Sequence, residues 1–269
     1  MRTVIRQRLA GLAPSLWYID LHNSATVTAM FTDLHSHVLP ALDDGSPDLG
    51  TSLAMLRGLS ALGYQHVAAT PHQKSPDLMP ARDAIDAAYE TTRAALAAAG
   101  LTLSLSLGAE NFWDEVFFAR QQDGTIPGYG AGRAFLFEIG RTDSPVHLEQ
   151  SLFQLRTRGL LPVMAHPERY AVFHKDLDRL AQIGQSCPLV VDLGALGGYH
   201  GLVCKRVARR LVLEGIAHAA ASDVHGPADL RAVAAGIDWL RTKLGPDGAL
   251  RLLARNPQAI LAGEHPGAC

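Results

Sequence analysis

Phe31-Thr-Asp-Leu-His-Ser-His37 is a short, largely apolar run that ends in two histidines one residue apart. In an extended strand alternate side chains share a face, so His35 and His37 point the same way and can grip one side of a cation. Asp223 and His225 in Ala221-Ser-Asp-Val-His225 repeat the spacing. Between the two pairs lie Ala69-Thr-Pro-His72, Gly108-Ala-Glu110, Phe137-Glu138 and Met164-Ala-His-Pro-Glu-Arg169. The runs that read as buried strands are 31–34, 66–70, 101–107, 134–137, 161–165, 189–193 and 216–222. Six of these seven deliver a candidate ligand at the carboxyl end.

The segments between them are long enough for helices. Ser46-Pro-Asp48 opens one, with Leu49, Leu53 and Leu56 at core-facing spacing and Gly63 as the stop. Residues 83–99 are alanine-rich and followed by Gly100, 148–158 are closed by Gly159, and 204–213 by Gly215. Alternating strand and helix means parallel strands, and in barrels built that way chemistry sits at the carboxyl ends. The expected fold is α/β, a distorted (β/α)7 TIM-like barrel, with room for an eighth strand in a segment that reads as loop. Residues 1–29 read as an N-terminal extension, with Met30 as an alternative start, and residues 30–269 as one barrel domain.

A chain of 269 residues, 48% hydrophobic and 19% charged, can bury a sizeable core. A net charge of −2 and no long basic stretch give no support to nucleic-acid binding. No run approaches the ~20 apolar residues of a membrane span, and the N-terminus lacks the compact apolar core of a signal peptide, so a cytoplasmic location and no membrane insertion are expected. Cys187, Cys204 and Cys269 have neither paired nor CxxC spacing, which implies no disulfide framework and no zinc ribbon.

The motif set resembles the PHP (polymerase and histidinol phosphatase) superfamily. Within it, the chain is most similar to the bacterial tyrosine-protein phosphatases of capsule and exopolysaccharide operons. Asp33-Leu-His-Ser-His-Val-Leu-Pro-Ala-Leu-Asp-Asp-Gly45, Ala69-Thr-Pro-His72, Gly108-Ala-Glu110, Ala165-His-Pro-Glu-Arg-Tyr170 and Ala221-Ser-Asp-Val-His225 carry the resemblance, which runs to Asn256-Pro-x-x-Ile-Leu261. It implies a PHP-type barrel with three divalent ions, Mn²⁺ first and Fe or Zn as alternatives. Their ligands would be His35, His37, Asp44, His72, Glu110, Glu138, His166, Asp223 and His225, with Glu138 and Asp223 as bridging candidates. Asp44 is preferred to Asp43 on the resemblance alone, and Asp43 could equally cap the next helix. It also implies a phosphotyrosine protein as partner, a tyrosine kinase controlling polysaccharide export.

The chemistry expected of such a site is attack by a metal-bound hydroxide, because an ion acidifies bound water from ~15.7 to near 7. Arg169, three residues beyond His166, is the first candidate to neutralise the phosphoryl oxygens. Arg231, at a shifted spacing after Asp223-x-His225, is the second. A structural ion pair is the competing reading for Arg169. Glu168 reads as a partner of the ligands or as solvated, and His22, His66, His147, His174, His200, His218 and His265 as surface or satisfied core residues. Cys204-Lys-Arg-Val-Ala-Arg-Arg210 matches the C-x5-R spacing of cysteine-dependent phosphatases, but it contains no glycine and reads as continuous helix with Leu202, Val203, Val207 and Leu211 on its apolar side. The alternatives to a protein-tyrosine phosphatase are a small-molecule phosphomonoesterase such as histidinol phosphatase and a catalytically silent PHP domain used for binding.

Overall fold

The computed structural model describes residues 30–267, so the expectations for residues 1–29, His22 among them, and for Cys269 lie outside the described residues. All seven expected strands form. They are β1 (Phe31–Asp33), β2 (Tyr64–Ala69) with its continuation β3 (His72–Gln73), β4 (Ser104–Leu107) with its continuation β5 (Glu110–Phe112), β6 (Ala134–Glu138), β7 (Leu161–Ala165), β8 (Leu189–Asp192) and β9 (Ala219–Ala221). Among the described residues there is no separate eighth strand. Thr70-Pro71 and Gly108-Ala109 interrupt the second and third strands. The ladder nevertheless carries on, with Gly108 N donating to Ala69 O at 2.8 Å and Glu110 N to Pro71 O at 3.1 Å.

Every pairing between these strands is parallel. One sheet has the order β1-β2-β4 and the other β3-β5-β6-β7-β8-β9, so neighbours in space follow neighbours in sequence. The first and last strands meet only at their carboxyl ends, where Ser36 bridges Val224 and two backbone bonds form: His37 N to Val224 O at 3.0 Å and Asp223 N to His35 O at 2.9 Å. Lower down, the buried Asp33 accepts from Ser222 N at 2.9 Å. There the π-helical turn Arg251–Arg255 packs against both β1 and β9 with Leu252 and Leu253 buried. A helical turn therefore packs in the seam that a strand pair would fill in a regular barrel.

Helices follow the strands. α1 (Leu49–Ala61) starts where the Asp48 carboxylate accepts from Thr51 N at 2.7 Å, which satisfies an amide that has no partner within the helix. α2 (Arg82–Ala98), α4 (Leu148–Thr157) and α7 (Gly201–Leu213) match the expected helices within a few residues. α3 (Glu115–Asp123), capped by Asp114, and α5 (Leu177–Gly184), capped by Asp176, form where no helix was assigned. The same holds for α6 (Leu193–Gly197) and α8 (Leu230–Leu250), the latter kinked at Gly245-Pro246, while α9 (Asn256–Leu261) coincides with the segment at which the resemblance ends. The face assigned to α7 needs correction. Val207 and Leu211 are buried, but Leu202 and Val203 are exposed, because the first turn of the helix projects beyond the layer it packs on.

Two apolar layers hold the strands from opposite sides, as parallel sheets require. Leu34, Ala68, Leu136, Val163, Val190 and Ala221 fill the interior. Met55, Phe117, Leu152, Leu180 and Leu211 seal the helices against the outside. Among the described residues no helix is long and apolar enough to cross a membrane.

Candidate metal centre

At the carboxyl end of the strands the filling changes from apolar to ionisable. His35 and His37 extend β1, His72 opens β3 and Glu110 opens β5 directly opposite it, Glu138 ends β6, and His166, Asp223 and His225 follow β7 and β9. The two-residue strand rule accounts for only part of this. His166 and Asp223 have positive φ, 33° and 48°, a region that costs a non-glycine residue of order 1–3 kcal/mol. The backbone leaves the extended path at those residues, and a purely alternating strand through Asp223 and His225 is corrected accordingly. Asp44 comes from the loop after β1. Gly45 lets that loop lie on His37: a Cβ there would stand 2.4 Å from both the His37 carbonyl oxygen and its Cβ.

Each of the nine residues belongs to at least one of four groups whose ligand atoms lie within 4.8 Å of one another. The groups are His37, Asp44, His72 and His225; His35, His37 and Glu110; His35, His166 and Asp223; and His72, Glu110 and Glu138. His35 Nε2 and His37 Nε2 are 3.2 Å apart, and Asp223 Oδ1 is 3.2 Å from the first and 3.4 Å from the second. Glu110 Oε2 lies 2.9 Å from His72 Nδ1, 3.3 Å from His35 Nε2 and 3.4 Å from His37 Nε2, while its Oε1 lies 2.8 Å from His166 Nε2. Glu110 rather than Glu138 is therefore the carboxylate shared between groups.

The donor atoms fit cations. His72 Nδ1, Glu110 Oε2 and Asp223 Oδ1 are buried without a hydrogen-bond partner, although each has a polar atom of another site residue within about 3 Å. Unpaired buried polar atoms are costly, and several of them aimed at common points are what ligation by ions would satisfy. Burial would lower the His37 and His72 pKa values, but Asp223, Asp43 and Glu110 raise the first, and Asp44 and Glu110 raise the second to about 10. Burial and the Glu110 charge push Glu138 up to about 8. Glu110 is held well below the usual carboxylate range by His35 and His166, against the pull of burial. Ions bound here would displace imidazole protons.

A second layer fixes the first. Asp43, the alternative to Asp44, caps no helix among the described residues; the cap of α1 is Asp48, and Asp43 Oδ1 accepts from Gly45 N at 3.1 Å. Its Oδ2 is 2.8 Å from His37 Nδ1 and accepts from His72 N at 3.1 Å, so it orients two candidate ligands. Asp44, half exposed, faces His72 Nε2 at 3.3 Å and His225 Nε2 at 3.4 Å. Arg169 is nearly buried and its Nη2 donates to Asp192 Oδ2 at 2.5 Å and to Asp223 Oδ2. Glu168 is buried, accepts from Asp192 N at 3.0 Å, and is pushed up to about 8 by burial and by the Asp192 charge.

A cleft of about 290 Å³ opens beside the cluster, lined by Arg141, Arg169, Asp192, Tyr199, His200, Asp223 and His225. A larger cavity of about 770 Å³, lined by Met79, Ile85 and Ile126, contains none of the nine residues. Arg231 is exposed in the first turn of α8 and does not line the cleft. Arg141, three residues beyond Glu138, lines it and makes no ion pair among the described residues. His200, read from sequence as a bland histidine, is also there. Its only signal in the sequence was its place after the one strand that delivered no candidate ligand. The other bland histidines stay apart: His66 bonds Ser104 and Ser106, His174 bonds Glu168 O, His218 accepts from Leu189 N and His265 bonds Gly184 O.

Tyrosine-protein phosphatase YwqE of Bacillus subtilis is 28% identical over 197 residues, 72% of this chain and 76% of that one. Tyrosine-protein phosphatase CpsB of Streptococcus pneumoniae is 23% identical over 247 residues, 86% of this chain and 98% of that one. In three dimensions the chain superposes with a TM-score of 0.79, at 24% identity, on a crystal structure from a study of YwqE and CpsB that describes them as metal-dependent tyrosine phosphatases; the match covers 87% of this chain and 95% of that one and establishes the shared fold. The family model for capsular polysaccharide synthesis, CpsB/CapC, matches residues 31–262, and the chain belongs to that family.

Proposed function

We propose that residues 30–269 form a single catalytic domain that hydrolyses phosphotyrosine in proteins, with three divalent ions, Mn²⁺ first, held by the nine residues of the cluster. The observation that carries this reading is the convergence of five histidines and four carboxylates in four overlapping groups, with buried donor atoms left unpaired. Mixed imidazole and carboxylate ligation suits Mn²⁺, Fe²⁺ or Zn²⁺. Ions bound there would supply Lewis acidity and an acidified water. The protein's own groups do the rest. Glu110, which occurs in two of the four groups, would hold ions in both, Asp43 sets the orientation of His37, and Arg169 fixes Asp223 and adds positive charge at the cleft. Arg141 takes the place expected of Arg231 as the guanidinium that contacts non-bridging phosphoryl oxygens. The relatives' names and the family point to a tyrosine kinase of capsule or exopolysaccharide synthesis as substrate, acted on in the cytoplasm. Keeping every ligand position argues against a silent binding domain.

The test is phosphate release from a phosphotyrosine peptide and from histidinol phosphate, side by side, with Mn²⁺ and with a chelator. Chelator-sensitive turnover favouring the peptide supports this reading. A preference for histidinol phosphate would move the protein to small-molecule metabolism, and no turnover of either would overturn the enzymatic assignment.

A further inference from the structure

His200 reaches the cleft from the turn between α6 and α7, and its Nε2 stands 2.6 Å from Asp192 Oδ2 and 2.7 Å from Arg169 Nη2. The proton on that nitrogen can be assigned by counting. Arg169 Nη2 carries two hydrogens, and two carboxylates take them, Asp192 and Asp223. None is left for His200, so Nε2 bears its own proton and donates it to Asp192. Asp192 is itself fixed. It is buried, its Oδ1 accepts from Gly194 N at 2.5 Å, and its backbone N donates to Glu168 Oε1. An imidazole with one nitrogen anchored to a buried carboxylate is held in one orientation. The other nitrogen, Nδ1, has no partner among the described residues, and the side chain is 23% exposed on the cleft wall.

The geometry points to His200 as the general acid that protonates the departing tyrosyl oxygen, with Asp192 as its positioning residue, a role that rests on the phosphotyrosine reading above. In this step water adds its oxygen to phosphorus and loses a proton. The bond from phosphorus to the phenolic oxygen breaks, its electron pair stays on that oxygen, and the oxygen takes the proton from Nδ1. Solvent then reprotonates the ring. Asp192 compensates the charge of the protonated ring before transfer. None of the nine candidate ligands is free for this work, and Arg169 holds its protons too tightly to give one up.

The need for an acid depends on the leaving group, and that dependence separates proton donation from other uses of the residue. Tyrosine leaves with a pKa of about 10 and gains from a proton, whereas a dinitrophenol leaves readily as its anion. The experiment compares the Mn²⁺-loaded full chain with its His200→Gln variant on phosphotyrosine, phenyl phosphate and 2,4-dinitrophenyl phosphate. Gln keeps an N–H for Asp192 but has no proton to transfer. Proton donation predicts a fall in kcat of ~10²-fold or more on phosphotyrosine and phenyl phosphate. On the dinitrophenyl ester it predicts little change. Equal falls on all three would show that the ring binds the phosphoryl group or braces Arg169, and unchanged rates would show that it does neither; both outcomes overturn the assignment. If the unaltered protein turns over none of the three, the phosphatase reading fails first and takes this one with it.

Discussion

The two ends of the same strands solve opposite problems. Along β6, Ala134 and Leu136 fill the interior and Glu138, next on that face, belongs to the ion cluster. Along β9, Ala219 and Ala221 fill the interior and Asp223 follows. One pleat separates an apolar filling that stabilises the fold from a polar one that charges it. The interior gains by removing hydrocarbon from water. At the rim, buried carboxylates repel one another, His166 and Asp223 sit at positive φ, and donor atoms go unpaired. Such a rim is stable only because the interior beneath it and, on this reading, the ions within it offset the cost.

The sharpest way to break that contrast is at the rim. His35→Ala with His37→Ala should remove metal, measured by elemental analysis, and lower turnover by ~10³-fold or more. The circular dichroism of the variant should stay native, and full activity would end the metal hypothesis. Arg169→Ala should cost both function and stability, since it leaves Asp192 and Asp223 as unpaired buried charges. A loss of about 3–5 kcal/mol is expected by denaturant titration, and a neutral result would mean that the pair is not fixed as seen. Leu136→Ala tests the interior: about 2–5 kcal/mol of stability should go while bound metal per folded molecule stays constant.

A smaller effect comes from His218, at the amino end of β9. Burial and nearby His265 push it down to about 4, from an ordinary value of about 6.5. The neutral ring is favoured by folding, so this contribution is complete above pH ~6.5 and drains away as pH falls toward 4, by about 3 kcal/mol at most. In His218→Asn, whose side-chain oxygen can still accept from Leu189 N, unfolding midpoints should fall less steeply across that window. Equal slopes would remove the effect. The smallest change is expected from Cys204→Ser. Cys204 is half-buried inside α7, and burial raises its thiol pKa, which disfavours the nucleophilic thiolate. A loss of several orders of magnitude in turnover would revive the cysteine mechanism.

Strands and their carboxyl-end residues were legible because burial and period-two packing act locally: a run such as Leu161–Ala165 is apolar whatever surrounds it. Helices α3 and α5 were not, since their capping aspartates lie in segments with short or interrupted apolar spacing. Sequence by itself determined the parallel α/β plan and the strand-end pairs His35/His37 and Asp223/His225, because both follow from residue type and spacing along the chain, while the full candidate ligand set, Asp44 included, came from the family resemblance. Only the tertiary structure decided that Glu110 stands between ion groups, that Asp43 braces His37, that Arg231 falls outside while Arg141 and His200 fall inside, and that a helical turn fills the seam. Those outcomes depend on which loops meet across the rim and on where the backbone turns at His166 and Asp223. Distances through space of that kind are set by packing and leave no period in the sequence.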